Sequence, residues 1–224
     1  AINLHLSGKN IEASKAYNAV LISEPSNLIA LNNLASLLNV SGEYEKAKLL
    51  LNRALHIKPD YIDALNNLGI SMKLSKEFNE AVKIFEKIIN LKPDFIKALI
   101  NLGNCLQSLN KFEDALKIYK KASIIQPEST EVLYNEATCL NELNFHNQAI
   151  LNYKKILKIN PNFTEAKWNL AFIQLLKGYY KDGWKNHEIR KKRDKTKNDY
   201  LKLIEYKNWL GKENLKDKTI YVLS

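Results

Sequence analysis

The stretch Pro59-Asp60-Tyr61-Ile62-Asp63-Ala64-Leu65-Asn66-Asn67-Leu68-Gly69 returns 34 residues later as Pro93-Asp94-Phe95-Ile96-Lys97-Ala98-Leu99-Ile100-Asn101-Leu102-Gly103. Outward from it, all five prolines keep the same spacing: Pro25, Pro59, Pro93, Pro127 and Pro161. Equal spacing means one structural unit repeated, and a 34-residue period belongs to a helix–turn–helix unit. With each proline at place 32, a partial unit covers 1–27. Full units cover 28–61, 62–95, 96–129 and 130–163, and a degenerate unit covers 164–193.

The columns of this alignment have physical reasons. Places seven and eight read Leu34-Ala35, Leu68-Gly69, Leu102-Gly103, Glu136-Ala137 and Leu170-Ala171. Place twenty reads Ala13, Ala47, Ala81, Ala115, Ala149 and Gly183, and place twenty-four reads Tyr17, Leu51, Phe85, Tyr119, Tyr153 and His187. Large apolar residues at helical spacing fill the seam between neighbouring helices. Small residues at places eight and twenty let two backbones approach. Gly42, Asn110, Asn144 and Gly178 stand between the helices, where a left-handed residue ends the first of them. The second helix stops before each proline, which lacks an amide hydrogen and restricts the residue before it. Ser26, Asp60, Asp94 and Asn162 follow the prolines and are expected to cap the next helix.

Small residues at places eight and twenty, an aromatic near twenty-four and proline at thirty-two resemble the tetratricopeptide repeat over residues 1 to about 190. The resemblance implies an all-α fold, a right-handed α-solenoid of paired antiparallel helices. The first helix of each pair would line a concave face that binds a peptide or another protein.

One column is more uniform than packing requires. Place six reads Asn33, Asn67, Asn101, Asn135 and Asn169, and place five adds Asn32 and Asn66. Asparagine is not a strong helix former. Five in register form a ladder of amides, each able to donate and to accept, suited to the backbone of an extended peptide. This is similar to the asparagine ladder in the tetratricopeptide domain of O-GlcNAc transferase. Asparagine at this place also serves structure in such repeats, so both uses stand. Tyr134 and Trp168 at place five are the expected exposed aromatics of the face. A clamp for a chain-end carboxylate would need lysine at place five, which reads Asn32, Asn66, Ile100, Tyr134 and Trp168. Lys97 alone makes no such clamp.

Bulk composition agrees with a helical array. The chain has 224 residues, 46% hydrophobic and 26% charged, a normal globular balance. No apolar run reaches the roughly 20 residues that span a bilayer. The start, Ala1-Ile2-Asn3-Leu4-His5, reads as the inside of a helix and lacks the pattern of a signal peptide. Cys105 and Cys139 are 34 apart, at equivalent buried places. They read as core residues of a reducing compartment, hence a cytoplasmic protein. The net charge of +10 is uneven: residues 177–224 hold 14 basic and 7 acidic side chains, leaving 20 and 17 for the rest. The run Arg190-Lys191-Lys192-Arg193 is a candidate anion patch or a solvated helix end. No aromatic interleaving marks nucleic-acid binding.

The sixth unit departs from the pattern, with Arg190 and Lys195 where the others carry apolar residues and proline. Its helix over 180–193 is expected to leave the array. Beyond it, Thr219-Ile220-Tyr221-Val222-Leu223-Ser224 reads as a lone β-strand. Residues 194–224 are thus expected to be a connector and the first strand of a truncated α/β domain. The succession Gly183-Trp184, Glu188-x-Arg190, Trp209-x-Gly211 and Leu215-x-x-Lys218 resembles a junction in bacterial proteins that carry these repeats before a heptosyltransferase-like glycosyltransferase domain. A terminal cap is the alternative.

No phosphate loop, nucleophile elbow or metal-ligand spacing is present, and His5, His56, His146 and His187 are scattered. No cofactor and no catalytic residue is expected in this segment. The expected function is a peptide- or protein-binding scaffold, with the targeting module of a glycosyltransferase-like protein as its wider context. The alternatives are an assembly scaffold that binds through its convex face or ends, and a basic anion-binding adaptor.

Overall fold

Each proline sits inside a tight turn. In the computed structural model, which describes residues 1–189, the residue before proline is extended; Lys58, for example, has φ −137° and ψ 94°. Its carbonyl accepts the amide two residues past the proline: Asn27 to Glu24 at 3.0 Å, Tyr61 to Lys58 at 3.2 Å and Phe95 to Lys92 at 3.1 Å. Proline presets the first corner of such a turn. The Arg53 guanidinium and the Lys87 ammonium bond back to the carbonyls of Pro25 and Pro59, tying second helices to the preceding turn.

The residue after proline belongs to that turn and not to the helix cap. The cap falls one place later, on Asn27, Tyr61, Phe95, Ser129 and Phe163. Asn27 accepts from the Ala30 amide at 2.9 Å and Ser129 from the Val132 amide at 3.4 Å. Ser26, Asp60, Asp94 and Asn162 are therefore not the caps. Tyr61, Phe95 and Phe163 make no side-chain cap bond. Tyr61 instead packs its ring on the core between neighbouring helices.

Twelve α-helices and no strand occur among the described residues. Residues Ala1–Leu143 form one compact unit, with α1 (Ile2–Leu6), α2 (Asn10–Ser23), α3 (Leu28–Val40), α4 (Tyr44–Ile57), α5 (Ile62–Leu74), α6 (Phe78–Leu91), α7 (Ile96–Ser108), α8 (Phe112–Ile125) and α9 (Thr130–Glu142). A second unit begins at Asn144, with α10 (His146–Ile159), α11 (Thr164–Leu176) and α12 (Tyr180–His187). The expected strand at 219–224, the connector and the run Arg190-Lys191-Lys192-Arg193 lie outside the described residues.

Within the first unit the first helices α3, α5, α7 and α9 pack successively on one another. The second helices α4, α6 and α8 do not pack on each other to that extent. The seam is the expected one. Ala13, Ala47, Ala81 and Ala115 are fully buried, as are Leu51, Phe85 and Tyr119 from place twenty-four. A Cβ placed on Gly69 would lie 2.6 Å from the Phe85 ring, and one on Gly103 would strike the Tyr119 ring still closer. The second unit repeats the scheme with Ala149, Tyr153 and Ala171 fully buried. Here α12 packs along α11, because Gly183 lets it come within contact of Leu175 and its backbone. The last described helix therefore stays on its partner and does not leave it. It is short, 8 residues against the usual 14 of a second helix.

The hinge between paired helices recurs as strictly as proline. Gly8, Gly42, Lys76, Asn110, Asn144 and Gly178 all have positive φ, from 58° to 81°. The next amide reaches back five residues, as in Glu43 to Leu38 and Glu77 to Met72, both at 2.8 Å. This satisfies a helix-end carbonyl. Lys76 holds this place against the preference of its own side chain.

Two outcomes follow. Gly69→Ala loses roughly 1–2 kcal/mol in urea denaturation, since overpacking outweighs the helix propensity gained. Combined with Phe85→Leu, matching the Ala35 and Leu51 pair of the preceding unit, the loss is smaller than the sum of the two single losses. Lys76→Gly gains about 0.5–1 kcal/mol by removing the Cβ from a left-handed residue; an unchanged or lowered denaturation midpoint contradicts that reading.

Candidate functional site

The asparagine column lies on the first helices, as its register requires. Asn33, Asn67, Asn101 and Asn135 are half-buried in the first unit, and Asn169 is half-buried in the second. None of them is a bare rung. What each amide bonds to depends on place twenty-four of the preceding repeat, 16 residues earlier. Where that residue is tyrosine with its hydroxyl at hand, the asparagine donates to it. Asn33 Nδ2 reaches Tyr17 Oη at 3.2 Å, and Asn169 Nδ2 reaches Tyr153 Oη at 3.2 Å.

Where place twenty-four is Leu51 or Phe85, there is no hydroxyl, and the asparagine turns elsewhere. Asn67 Nδ2 donates to Asn32 Oδ1 at 2.8 Å, and Asn32 Nδ2 donates in turn to Asn33 Oδ1 at 3.3 Å. A continuous chain of bonds therefore runs from Tyr17 through Asn33 and Asn32 to Asn67. The Asn67 carbonyl also accepts from Asn39 Nδ2 at 3.3 Å and lies 2.9 Å from Ser71 Oγ. Asn101 Oδ1 instead accepts from Lys73 Nζ at 2.6 Å.

The third tyrosine makes a different arrangement. Tyr119 is fully buried, and its hydroxyl lies 2.6 Å from Asn104 Oδ1 and 2.8 Å from Gln107 Oε1. Burial holds its pKa above the usual phenol range. Asn135 Nδ2 joins the same acceptor, Asn104 Oδ1, at 3.2 Å. Asn104 is thus the centre of a buried-edge network that the column alone did not reveal. The recoverable signal is tyrosine followed 16 residues later by asparagine, with a further amide at place nine.

These bonds leave a pattern of unspent capacity. Asn67 and Asn135 commit their Nδ2 groups and leave Oδ1 without a partner among the described residues, whereas Asn101 commits Oδ1 and leaves Nδ2. Along α5, α7 and α9 the face therefore offers acceptor, donor, acceptor. Asn66 is 9% exposed and its Oδ1 has no partner among the described residues. Such a buried orphan acceptor costs about 1–3 kcal/mol unless a donor meets it.

Tyr134 is half-buried on α9. Trp168 is not a bare surface ring. It stacks on His187 at 5.0 Å between centroids and meets Phe172 edge-on at 4.8 Å, while Trp184 meets His187 at 5.5 Å. His187 occupies place twenty-four of the last unit, so this cluster closes the seam between α11 and α12 in place of a core tyrosine. Asn186 Nδ2 adds a bond to the buried Gln174 Oε1 at 2.8 Å.

The thiols are core groups. Cys105 and Cys139 are free and fully buried. Burial pushes them up to about 11 and about 12, leaving them protonated and unreactive near neutrality. Among the described residues no group of three His, Cys, Asp or Glu side chains could hold a metal ion, and no helix is long and apolar enough to cross a membrane.

Two models of the tetratricopeptide repeat match the sequence, at residues 7–62 and 74–137. No curated protein matches it significantly. Solved structures share its fold at low identity. YrrB, described as a TPR protein with an unusual peptide-binding site, is 19% identical with a TM-score of 0.67, over 85% of this chain and 100% of its own. MamA from Desulfovibrio magneticus RS-1 is 18% identical with a TM-score of 0.68, over 75% of this chain and 97% of its own. TTC0263, a thermophilic TPR protein of Thermus thermophilus, is 16% identical with a TM-score of 0.63, over 78% of this chain and 95% of its own. With repeat models matching two stretches and the whole helix-pair geometry in register, the chain belongs to the tetratricopeptide-repeat proteins, and its fold is that of a non-catalytic protein-interaction scaffold.

Proposed function

We propose that the first-helix face holds an extended peptide or protein segment through the asparagine column. The observation that carries this is the alternation of unspent groups, Oδ1 of Asn67, Nδ2 of Asn101 and Oδ1 of Asn135. An extended backbone presents donors and acceptors in alternation, so such a row can bind it with little regard to side chains. The intramolecular bonds support the reading as well. They fix which end of each amide points away from the core, so less freedom is lost on binding. Within the first unit the first helices pack on one another more closely than the second helices do, which fits their use as a shared binding face. Within the first unit Asn33, Asn32, Asn66 and Tyr134 would extend or border the row, and in the second unit Asn169 and Trp168 hold the equivalent repeat places. The description of YrrB as peptide-binding fits this use of the fold.

A wider context follows from the sequence succession ending in Trp209-x-Gly211 and the apolar run 219–224. The scaffold would be the acceptor-recognition module of a larger bacterial glycosyltransferase-like protein of the cytoplasm. A Gly-rich loop and a helix encoded after Ser224 support this, and a stop codon there removes it.

One specific observation favours a second reading. Ile22, Leu49 and Ile124 on second helices are 83%, 70% and 80% exposed. An assembly scaffold would use that outer face.

The test compares two variants of the purified protein against peptides enriched from a random display library. The triple variant Asn67→Ala, Asn101→Ala, Asn135→Ala keeps its helical circular dichroism and loses about 0.5–1.5 kcal/mol of stability per lost bond. It binds the enriched peptides at least roughly 100-fold more weakly, as expected when several hydrogen bonds are removed together. Leu49→Ser with Ile124→Ser leaves binding unchanged. The reverse pattern supports the assembly scaffold and overturns the peptide-binding face.

A further inference from the structure

Asn33 and Asn101 hold the same repeat place in two different states. Asn33 is engaged at both ends of its amide: Oδ1 accepts from Asn32 Nδ2 at 3.3 Å, and Nδ2 donates to the Tyr17 hydroxyl at 3.2 Å. Asn101 is engaged at one end only. Its Oδ1 accepts from Lys73 Nζ at 2.6 Å, and its Nδ2 has no partner among the described residues. The residue 16 positions earlier separates the two states: Tyr17 stands behind Asn33, and Phe85 behind Asn101. Both rings are buried, at 2% and 0% exposure. One oxygen atom in the core is the difference between a spent amide and an available one.

Tyr119 shows what else that oxygen requires. Its hydroxyl lies 2.6 Å from Asn104 Oδ1, at place nine of its own unit, and 2.8 Å from Gln107 Oε1. With the hydroxyl occupied, Asn135 donates to Asn104 instead and keeps its own Oδ1 available. A tyrosine at place twenty-four therefore draws in the next asparagine only where no amide competes from place nine. That place is Ile2 in the unit of Tyr17 and Ile70 in the unit of Phe85. A hydroxyl added to Phe85 meets no such competitor, and the amide donor of Asn101 is open to it. The bond between Asn169 and Tyr153 repeats the Asn33 arrangement in the second unit, where place nine is Thr138.

Resting on the peptide-binding reading above, we propose that the buried residue at place twenty-four decides which asparagines of the first unit meet the peptide. Leu51 and Phe85 leave Asn67 and Asn101 available, and Tyr17 withdraws Asn33. Tyr119 leaves Asn135 available because Asn104 takes its hydroxyl. These four are positioning residues that touch no ligand. The row they set has three rungs and begins at Asn67. With first helices about 8–10 Å apart, it spans roughly 16–20 Å, the length of about five or six residues of extended chain.

The test moves the one oxygen in each direction. Phe85→Tyr adds it and Tyr17→Phe removes it. Neither changes the ring that fills the seam, since Tyr119 already lies over Gly103 as Phe85 lies over Gly69. Both variants keep a cooperative melt by circular dichroism. In the free protein, Phe85→Tyr moves the side-chain amide proton signals of Asn101, and Tyr17→Phe moves those of Asn33. Binding is then read with peptides enriched from a random display library. On the wild type, Asn101→Ala weakens binding about fivefold, the usual loss for one hydrogen bond. In the Phe85→Tyr background the same change costs less than about twofold, because the rung is already withdrawn. Asn33→Ala behaves in the opposite way. It costs less than about twofold in the wild type and about fivefold in Tyr17→Phe, measured with peptides enriched on that variant. Asn101 signals that stay in place in Phe85→Tyr, or an equal cost of Asn101→Ala with and without the added hydroxyl, overturn control from the core while peptide binding stands. If nothing is enriched, or if Asn101→Ala is harmless in the wild type, the peptide-binding face falls and this inference with it.

Discussion

The close approach of two helix backbones within each pair is the constraint on which everything else rests. It requires a residue with no more than a methyl group at places eight and twenty, and a large flat or branched side chain at place twenty-four to fill the seam. Gly69 under the Phe85 ring and Gly103 under Tyr119 are the tightest instances. The turns on either side serve this packing. Proline shapes one and a left-handed residue the other, each at a fixed sequence distance from the seam.

That packing also decides the chemistry of the exposed face. The residue filling the seam lies directly behind the asparagine of the next unit. When it carries a hydroxyl, as Tyr17 and Tyr153 do, the amide is drawn inward to it. When it does not, as with Leu51 and Phe85, the amide turns along the face to another first helix. A core substitution at place twenty-four is therefore also a change in what the surface offers. Variation between units that looks like tolerance in the core becomes a pattern of donors and acceptors outside.

Much of the fold was legible in the sequence because the relevant residues act through size and backbone geometry. Proline, glycine and alanine each have few alternatives at their places, and their spacing exposed the unit directly. The left-handed hinge at Lys76 was the least visible, since nothing about lysine signals it. The helix caps were misplaced by one residue, because Asp60 and Asp94 have the chemistry of caps but sit in the proline turn. The asparagine column could be seen, yet its partners could not. Those depend on side chains 16 to 35 residues away, and on which way an amide is flipped. Trp168 likewise read as a free ring, whereas its stacking on His187 depends on a last unit that lacks the usual core tyrosine. Lys73 carried no signal until its bond to Asn101 was visible.

The central claim is that the first helices, and not the second, meet the ligand. Side-chain amide resonances report on it directly, because each asparagine contributes its own pair of proton signals. In a titration of isotopically labelled protein with a library-selected peptide, the Asn67, Asn101 and Asn135 side-chain amides should shift the most. Signals from α4, α6 and α8 should stay in place. Shifts concentrated on those second helices, with the three asparagine side chains unmoved, would contradict the account.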